Sequence, residues 1–351
     1  MSNHQKMKAV GAYRYLAISD PESLVDLYIE KPIPTGRDLL VEVKAISVNP
    51  ADLGVRETNN YEAESPKILG WDVAGIVEQV GPECQLFKPG DEIYYAGSVA
   101  RPGGNSEFHL VDERIVGYKP KSLDFAQAAA LPLTSITAWE GLFDRLGISH
   151  SVEENKNKNK SILIIGAAGG VGSITTQLAK LAGLIVIGTA SRPESIQWTK
   201  SQGADFTINH NNHFAPQLKD IGFETVDYIF CLNDTVQHFA NMAEVIAPQG
   251  KICSIVPADK ASWAGSLDMD LLFAKSITFV WELMFTRSMF QTKDMIKQHD
   301  LLNKLAYLID NGKLKTTLTE RLEPINATNL RLVHEKMETG RSIGKIVLEN
   351  F

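Results

Sequence analysis

The stretch SILIIGAAGGVGSITTQLAK, residues 161–180, decides how the second half of this chain is expected to fold. An apolar strand pattern runs into a glycine-rich turn and then into a helical pattern, the order that a dinucleotide-binding unit requires. Ala167, Gly169 and Gly172 take the three fingerprint positions of G-x-G-x-x-G, with alanine at the first. The second glycine lets a pyrophosphate approach the backbone, and the third lets the helix pack on the strand. The stretch therefore predicts a nucleotide site at the start of the helix.

Further apolar runs follow at 184–189, 226–231 and 250–256, with helical patterns between them. Runs without alternation are typical of parallel strands that are covered on both faces. Their spacing predicts a Rossmann domain, an α/β doubly wound parallel sheet built from βαβ units. A helix is expected over 293–311, where an Asn-Gly pair follows as a stop signal. The tail closes with a strand pattern that we expect to return to the first domain.

The N-terminal part is β-rich. Short alternating runs cover 38–50, 75–81, 91–97 and 106–112, and Gly/Pro turns divide them, which predicts a compact barrel-like domain. Near residue 122 the pattern becomes helical, with an interruption at Pro132. We therefore predict one domain from 1–130 with 313–351 and a second from 131–312. The charged run 151–160 is interpreted as a solvated loop rather than an interaction tag.

Bulk properties exclude several classes of protein. A chain of 351 residues is long enough for two domains, and its net charge of −7 argues against a nucleic-acid surface. No apolar run approaches the roughly 20 residues of a membrane span. The N-terminus has no apolar signal region, so a cytoplasmic location is expected. The three cysteines lie far apart, which argues against disulfides and against a cysteine-built zinc site.

The end of the second Rossmann strand bears on the choice of cofactor. Ala190 stands where an NAD site needs a carboxylate, and Ser191 and Arg192 follow it. A hydroxyl and a guanidinium suit a 2′-phosphate, so these residues predict NADPH rather than NADH. A local alternative is that Ser191 to Glu194 forms a helix-capping box, and the two interpretations are compatible.

Six segments, taken in order, resemble the medium-chain dehydrogenase/reductase superfamily over nearly the whole chain, and within it the quinone oxidoreductase-like branch. They are SVNPADLGVR (47–56), ILGWDVAGIVEQVG (68–81), FKPGDEIYYAG (87–97), AAALPLTSITAWEGLF (128–143), AAGGVG (167–172) and SIGKIVL (342–348). The resemblance implies a GroES-like β-rich catalytic domain in addition to the Rossmann domain.

The resemblance also locates the positions that bind zinc in the alcohol dehydrogenases of this superfamily. Asn49 stands in place of a cysteine, Trp71 in place of a histidine, and Leu133 or Thr134 at the third ligand. Zinc prefers Cys, His and carboxylate ligands, so no metal site is predicted. Asp72 and His109 are conceivable substitutes, but a lone Asp and a lone His usually form hydrogen bonds within their own domain.

The resemblance implies roles for several side chains. Asn49 is expected to donate to ribose or substrate, and Asp52 either to orient a water or to cap the following turn. Tyr61 either donates to the acceptor oxygen or packs its own loop, and Lys345 either lies near the cofactor or is a surface lysine. Asn49, Asp52 and Tyr61 are the catalytic candidates. The cofactor-binding candidates are Asn49, Thr137, Ala168, Gly169, Gly170, Val171, Ser191, Arg192, Leu232, Ile255 and Lys345.

Hydride addition to a simple ketone creates an alkoxide that zinc stabilises, whereas quinones and α,β-unsaturated carbonyls are already electrophilic. The sequence therefore predicts a zinc-independent NADPH-dependent reductase of quinones or enones. The alternatives are a zinc-dependent alcohol dehydrogenase with atypical ligands and a non-catalytic NADPH-binding protein. The apolar run at 277–285 predicts an edge strand that pairs across a two-fold axis, and hence a homodimer.

Overall fold

The computed structural model describes residues 5–57, 64–150, 156–257 and 268–351. The chain divides into two compact units, which are described separately. The first unit comprises Met1–Ile136 and Phe285–Phe351, and the second comprises Thr137–Met284. Among the described residues, no helix is both long and apolar enough to cross a bilayer.

The strands of the described residues are β1 (Lys6–Ala12), β2 (Val25–Glu30), β3 (Asp38–Ser47), β4 (Lys67–Ile68), β5 (Val73–Val80), β6 (Glu92–Tyr95), β7 (Phe108–Asp112), β8 (Val116–Tyr118), β9 (Ser161–Ile165), β10 (Ile185–Thr189), β11 (Phe206–Ile208), β12 (Val226–Cys231), β13 (Ile246–Ser254), β14 (Thr278–Trp281), β15 (Leu318–Leu322) and β16 (Lys345–Glu349). The α-helices are α1 (Pro50–Glu57), α2 (Phe125–Ala129), α3 (Pro132–Trp139), α4 (Gly170–Leu181), α5 (Pro193–Ser201), α6 (Phe214–Asp220), α7 (Thr235–Val245), α8 (Asp270–Phe273), α9 (Thr286–Met289), α10 (Lys297–Asp310) and α11 (Ala327–Glu338). A 3-10 turn covers Glu113–Ile115, and a π-helix covers Glu140–Arg145.

The second unit is built on a six-stranded sheet in the order β11-β10-β9-β12-β13-β14. All of its strand pairs are parallel. Every residue of the central strand β9 is buried, which is why its sequence is a continuous apolar run. This strand order is that of a dinucleotide-binding sheet, so the predicted Rossmann fold is confirmed.

The first unit contains a seven-stranded sheet and a three-stranded sheet. The larger one runs β15-β16-β3-β5-β6-β8, with β7 paired to β3, and the smaller one runs β2-β1-β4. The C-terminal strand β16 lies between β15 and β3 and is antiparallel to β3. The predicted β-rich domain and the return of the tail to it are therefore both confirmed.

The observed division of the chain differs from the predicted one over residues 131–136 and 285–312, which belong to the first unit. Helix α10 packs on β8, and the hydroxyl of Tyr94 donates to the carbonyl of Leu302 at 2.7 Å. A Cβ at Gly117 would lie 2.5 Å from Cβ of Leu302, so the glycine permits this close packing. An amphipathic helical pattern shows which face is buried but does not identify the sheet that covers it.

The helical region after residue 122 is interrupted where the sequence predicts. Helix α2 ends at Ala129, and α3 begins at Pro132, whose fixed φ and missing N–H suit a first helical position. The carboxylate of Asp124 caps α2 by accepting from the N–H of Gln127 at 2.7 Å. Helix α3 contains both Leu133 and Thr137, and the division of the chain into two units falls between them, after Ile136.

Candidate functional site

A buried polar cluster lies in the first unit, where the segment after β3 meets the segment before β5 and the start of β16. We call Asn49, Asp52, Asp72 and Lys345 the polar cluster. The amide of Asn49 donates to Asp72 at 2.8 Å, and the ammonium of Lys345 donates to Asn49 Oδ1 at 2.5 Å. The ammonium also lies 3.2 Å from Asp72 and donates to the carbonyl of Val48 at 2.7 Å. Lys345 is thus a buried lysine rather than a surface one.

Asp72 is the centre of the polar cluster. Its other carboxylate oxygen accepts from the backbone N–H of Leu133 at 2.8 Å, so both oxygens have donors. Burial raises the pKa of Asp72, and the Lys345 ammonium opposes this shift. Burial lowers the pKa of Lys345, and Asp72 opposes that shift in turn. The two groups therefore stabilise each other's charged forms inside the unit.

Asp52 anchors the loop that carries Asn49. Its carboxylate accepts from the N–H of Asn49 at 2.7 Å and from the N–H of Gly70 at 2.8 Å. The first bond caps the start of α1, in line with the capping role that the sequence allowed. Burial raises the pKa of Asp52 to about 7, against the opposing effects of the Asn49 N–H and the Lys345 ammonium. The Asp52 carboxyl group thus links the backbone at Asn49 to the backbone at Gly70.

The donor atoms at the zinc positions do not fit a zinc ion. Trp71 is fully buried, and its indole N–H donates to the carbonyl of Ser98 at 2.9 Å. Asn49 is bonded to a cation, Lys345, and the hydroxyl of Thr134 donates to the carbonyl of Leu131 at 3.1 Å. Across the described ranges, no group of three or more His, Cys, Asp or Glu side chains could hold a metal ion.

The two substitute ligands considered from the sequence are both bonded within the first unit, as expected. His109 is buried, with Nδ1 2.9 Å from the hydroxyl of Tyr95 and Nε2 2.9 Å from the carbonyl of Pro102. Burial lowers the pKa of His109 to about 4, so the ring is neutral. Since Asp72 is bonded to Lys345, neither side chain is available as a metal ligand.

The second unit holds the glycine-rich turn between β9 and α4. A Cβ at Gly172 would lie 2.3 Å from the carbonyl oxygen of Gly166, so internal packing requires glycine there. At Gly169 the nearest such atom is that same oxygen, at 3.6 Å, and φ is −72°. Neither packing nor backbone strain explains the glycine at 169. A glycine that its own fold does not require, at the N-cap of a 12-residue helix, fits a pyrophosphate that approaches the backbone.

The turn between β10 and α5 lies beside the glycine-rich turn. The N–H of Gly166 donates to the hydroxyl of Thr189 at 3.0 Å, which joins the ends of β9 and β10. Arg192 is the N-cap of α5, and the hydroxyl of Ser195 accepts from its N–H at 3.1 Å. The capping box predicted from Ser191 to Glu194 is therefore wrong by one residue, because Ser195 supplies the bond. The Arg192 guanidinium is half-buried and lies 3.2 Å from Glu194.

The remaining candidates lie in several places. Leu232 and Ile255 directly follow β12 and β13, at the same sheet edge as the glycine-rich turn, and both are half-buried. Thr137 is buried in α3. Tyr61 lies outside the described residues. The structure thus groups Ala168–Val171, Ser191, Arg192, Leu232 and Ile255 in one unit, and Asn49, Asp52 and Lys345 in the other.

Two features are absent from the sequence-based set of candidates. Asp72, considered from the sequence only as a substitute metal ligand, joins Asn49 to Lys345. His210 and His238 pack together at the carboxyl edge of the second sheet, with ring centroids 6.5 Å apart. Nothing in the sequence relates these two histidines, because they follow different strands.

Comparison with protein families matches residues 35–132 to the alcohol dehydrogenase GroES-like domain and residues 202–348 to the zinc-binding dehydrogenase family. A zinc-type alcohol dehydrogenase-like protein of Staphylococcus epidermidis is 39% identical over 97% of this chain and 99% of its own length. The crystal structure of a candidate zinc-dependent alcohol dehydrogenase from Rhizobium etli superimposes with a TM-score of 0.92. It is 49% identical, and the match covers 99% of each chain.

More distant relatives carry names that describe reductases. An NADPH-dependent alkenal/one oxidoreductase of Arabidopsis thaliana is 29% identical over 88% of this chain and 71% of its own length. The quinone oxidoreductase of Pseudomonas syringae is 25% identical, with a TM-score of 0.79, over 98% of this chain and 99% of that one.

Proposed function

Because the chain belongs to the medium-chain dehydrogenase/reductase superfamily, in its group of zinc-type alcohol dehydrogenase-like proteins, we propose that this oxidoreductase reduces quinones or α,β-unsaturated carbonyls with NADPH and without zinc. The names of the Arabidopsis and Pseudomonas relatives support this choice of acceptor and cofactor. Both are distant relatives, so the acceptor class needs support from this chain's own residues.

The polar cluster carries the zinc-independent part of the proposal. Lys345 supplies the positive charge beside Asp72 and Asn49, and Trp71 is bonded to Ser98, so the side chains at the zinc positions are already engaged. Without a Lewis acid, the favoured acceptors are those that spread the new negative charge as an enolate or a hydroquinone anion. Quinones and enones share this property, and simple ketones lack it.

NADPH, when bound, supplies the hydride. In the second unit we assign the pyrophosphate to the backbone of Ala168–Val171 and the 2′-phosphate to Ser191 and Arg192. Leu232 and Ile255 offer apolar surface at the same sheet edge, where such sheets bind ligands. Thr137 is assigned to the nicotinamide ribose.

In the first unit we assign positioning roles to Asn49, Asp52 and Lys345, because their polar atoms bond to one another and to backbone. The alternative for Asn49 is the predicted direct contact with ribose or substrate, and for Lys345 a direct contact with the cofactor. Tyr61 is the candidate hydrogen-bond donor to the acceptor oxygen.

Steady-state oxidation of NADPH tests the proposed reaction. We expect turnover with a quinone or a 2-alkenal, unchanged after the protein is treated with a chelator. A simple alcohol with NADP⁺ is the matched control and should give no turnover. Activity confined to alcohols and lost on chelation would overturn the proposal. Tight NADPH binding without turnover on any acceptor would indicate a non-catalytic binding protein.

We also propose a homodimer formed along β14. This strand ends the order of the six-stranded sheet, so no described strand pairs with its outer edge. Its neighbourhood exposes large apolar side chains, among them Phe273, Trp281 and Leu283. Sedimentation should give twice the chain mass, and Trp281→Lys should shift the protein toward monomer. A monomeric wild-type protein would contradict this proposal.

A further inference from the structure

We propose that His210 selects the cofactor together with Arg192, and that its imidazole takes up a proton when the 2′-phosphate of NADPH binds. This inference rests on the proposed function, because it requires the cofactor to occupy the carboxyl edge of the second unit's sheet. It adds a specificity-determining residue that the fingerprint of the glycine-rich turn does not contain.

The two side chains follow neighbouring strands. Thr189 of β10 is paired with Ile208 of β11 in a parallel register, and the N–H of Ala190 donates to the carbonyl of Ile208 at 2.9 Å. Arg192 comes three residues after the end of β10, and His210 comes two residues after the end of β11. Both residues therefore leave the sheet at its carboxyl edge, where ligands of open parallel sheets bind.

The His210 ring contains a polar atom that the fold does not satisfy. Its Nδ1 is buried and, among the residues that the structure describes, has no hydrogen-bond partner. The neighbouring His238 ring is 1% exposed, and within the same residues its Nε2 also has no partner. A buried polar group without a partner is destabilising, so two at one place indicate a role beyond packing.

The charged and titratable groups around the pair favour neutral histidines in the free protein. Burial lowers the pKa of His210, and the Arg192 guanidinium lowers it further. His238 faces His210 from α7. Burial also lowers the pKa of His238, and the Asp234 carboxylate at the start of α7 opposes this shift. Arg192 also pairs with Glu194, at 3.2 Å. The surroundings of His210 therefore contain a cation and a second imidazole.

A phosphate bound by Arg192 would reverse this balance. Its negative charge offsets the guanidinium and favours the imidazolium form of His210, because an opposite charge within about 4–6 Å raises the pKa of a histidine. The step is a simple protonation in which the neutral ring takes one proton from solvent. NADH has no 2′-phosphate, so its binding should leave His210 neutral.

The direction of the pH dependence follows from linkage. When the bound state holds more protons than the free state, affinity falls as the pH rises through the pKa of the bound state. NADPH should therefore lose affinity relative to NADH on the alkaline side. The phosphate itself titrates near about pH 6 and has the opposite effect there, so the comparison belongs above about pH 7.

Calorimetric titration of the full chain tests the inference without relying on turnover. NADPH and NADH are titrated at about pH 7.5 in two buffers of different ionisation enthalpy, which reports the protons taken up on binding. We expect uptake of about half a proton with NADPH and none with NADH. The ratio of NADPH to NADH affinity should fall about fourfold between about pH 7 and about pH 8.5.

His210→Gln should abolish the proton uptake on NADPH binding. In this variant the ratio of NADPH to NADH affinity should fall by less than about twofold over the same pH range. His213→Gln is the matched control, since His213 lies three residues later, is exposed, and bonds to Glu244 at 2.8 Å. It should bind like wild type. Because His210 is half-exposed, the His210→Gln variant should fold, and its thermal unfolding temperature tests this expectation.

The possible outcomes separate this inference from the proposed function. Proton uptake that persists in His210→Gln, or is absent in wild type, overturns the role of His210. If NADPH and NADH bind equally to wild type, and Arg192→Ala weakens neither, the proposed cofactor choice fails. NADPH binding that depends on Arg192 but not on His210 preserves the proposed function and rejects only the inference.

Discussion

The polar cluster of the first unit and the carboxyl edge of the second unit's sheet differ in how far their polar atoms are satisfied within the fold. Each polar side-chain atom of Asn49, Asp52, Asp72 and Lys345 has a partner within its own unit. At the sheet edge, a Cβ at Gly169 would meet only the Gly166 carbonyl oxygen, at 3.6 Å, and Nδ1 of His210 has no partner among the described residues. Polar atoms that are all bonded to one another stabilise the fold, whereas a polar atom without a partner is able to bind a ligand. Substitutions should therefore change stability in the first region and binding in the second.

The largest expected effect is on stability, from Lys345→Met. It leaves the buried Asp72 carboxylate without its cation, and breaking a buried ion pair costs about 3–5 kcal/mol. Urea unfolding should show this loss. Lys313→Met, at an exposed lysine, is the matched control and should change the unfolding free energy by less than about 0.5 kcal/mol.

Asp72→Asn combined with Lys345→Met sharpens the result, because it removes both charges at once. We expect the double variant to be more stable than Lys345→Met alone. If the double variant loses the sum of the two single effects, the two side chains are not coupled and the cluster is not a closed network.

The two glycines of the phosphate turn should respond differently. Gly172→Ala forces a Cβ against the Gly166 carbonyl oxygen and should cost about 1–3 kcal/mol of stability. Gly169→Ala meets no such atom and should keep its stability, but weaken NADPH and NADH about tenfold or more by blocking the pyrophosphate. Thermal unfolding and fluorescence titration measure the two effects. Normal cofactor affinity in Gly169→Ala would exclude that turn as the pyrophosphate site.

Arg192→Ala tests cofactor choice at the same edge. Loss of a charge-assisted contact should weaken NADPH about tenfold and leave NADH nearly unchanged. Lys200→Ala removes an exposed positive charge from the same helix and serves as the control. Equal weakening of both cofactors would show that the guanidinium does not distinguish the 2′-phosphate.

The smallest effect concerns Asp52. Its pKa is raised to about 7 in the folded protein, against 3.8 ordinarily, so between these values the folded state holds the extra proton. Stability should then fall as pH rises, by about 1 kcal/mol between about pH 6 and about pH 7. Asp52→Asn should flatten this slope, whereas Asp220→Asn, at an exposed aspartate, should not. Identical slopes in all three proteins would show that Asp52 does not titrate in this range.

Much of the fold could be predicted because its signals are local. Buried parallel strands such as β9 and β12 are short apolar runs, and the glycine-rich turn lies between a strand and a helix along the chain. The assignment of residues 285–312 could not be predicted in the same way. Helix α10 has an amphipathic pattern that would suit either sheet, and its unit is decided by tertiary contacts such as the Tyr94–Leu302 hydrogen bond and the close approach of Leu302 to Gly117.

For the candidate site, too, the residues near strand ends could be predicted from the sequence, and the long-range pairs could not. The glycine-rich turn, Ser191 and Arg192 follow from spacing relative to a strand end, so sequence reasoning located them on the observed edge. Asp72 and Lys345 lie at distant points of the chain, and neither residue type reveals a buried partner. The pairing of His210 with His238 depends likewise on the packing of α7. Long-range pairs of this kind are set by tertiary structure, which local patterns do not encode.

The position of β16 inside the larger sheet of the first unit has a consequence for biosynthesis. The second unit is one continuous segment, whereas the first needs a strand from near the end of the chain, placed between β15 and β3. At about 5–20 residues per second, a ribosome needs roughly 10–40 seconds to reach β16 after completing residue 136. During this interval Asp72 lacks its partner Lys345. A nascent chain should therefore fold its second unit first, and the incomplete first unit should need protection from aggregation.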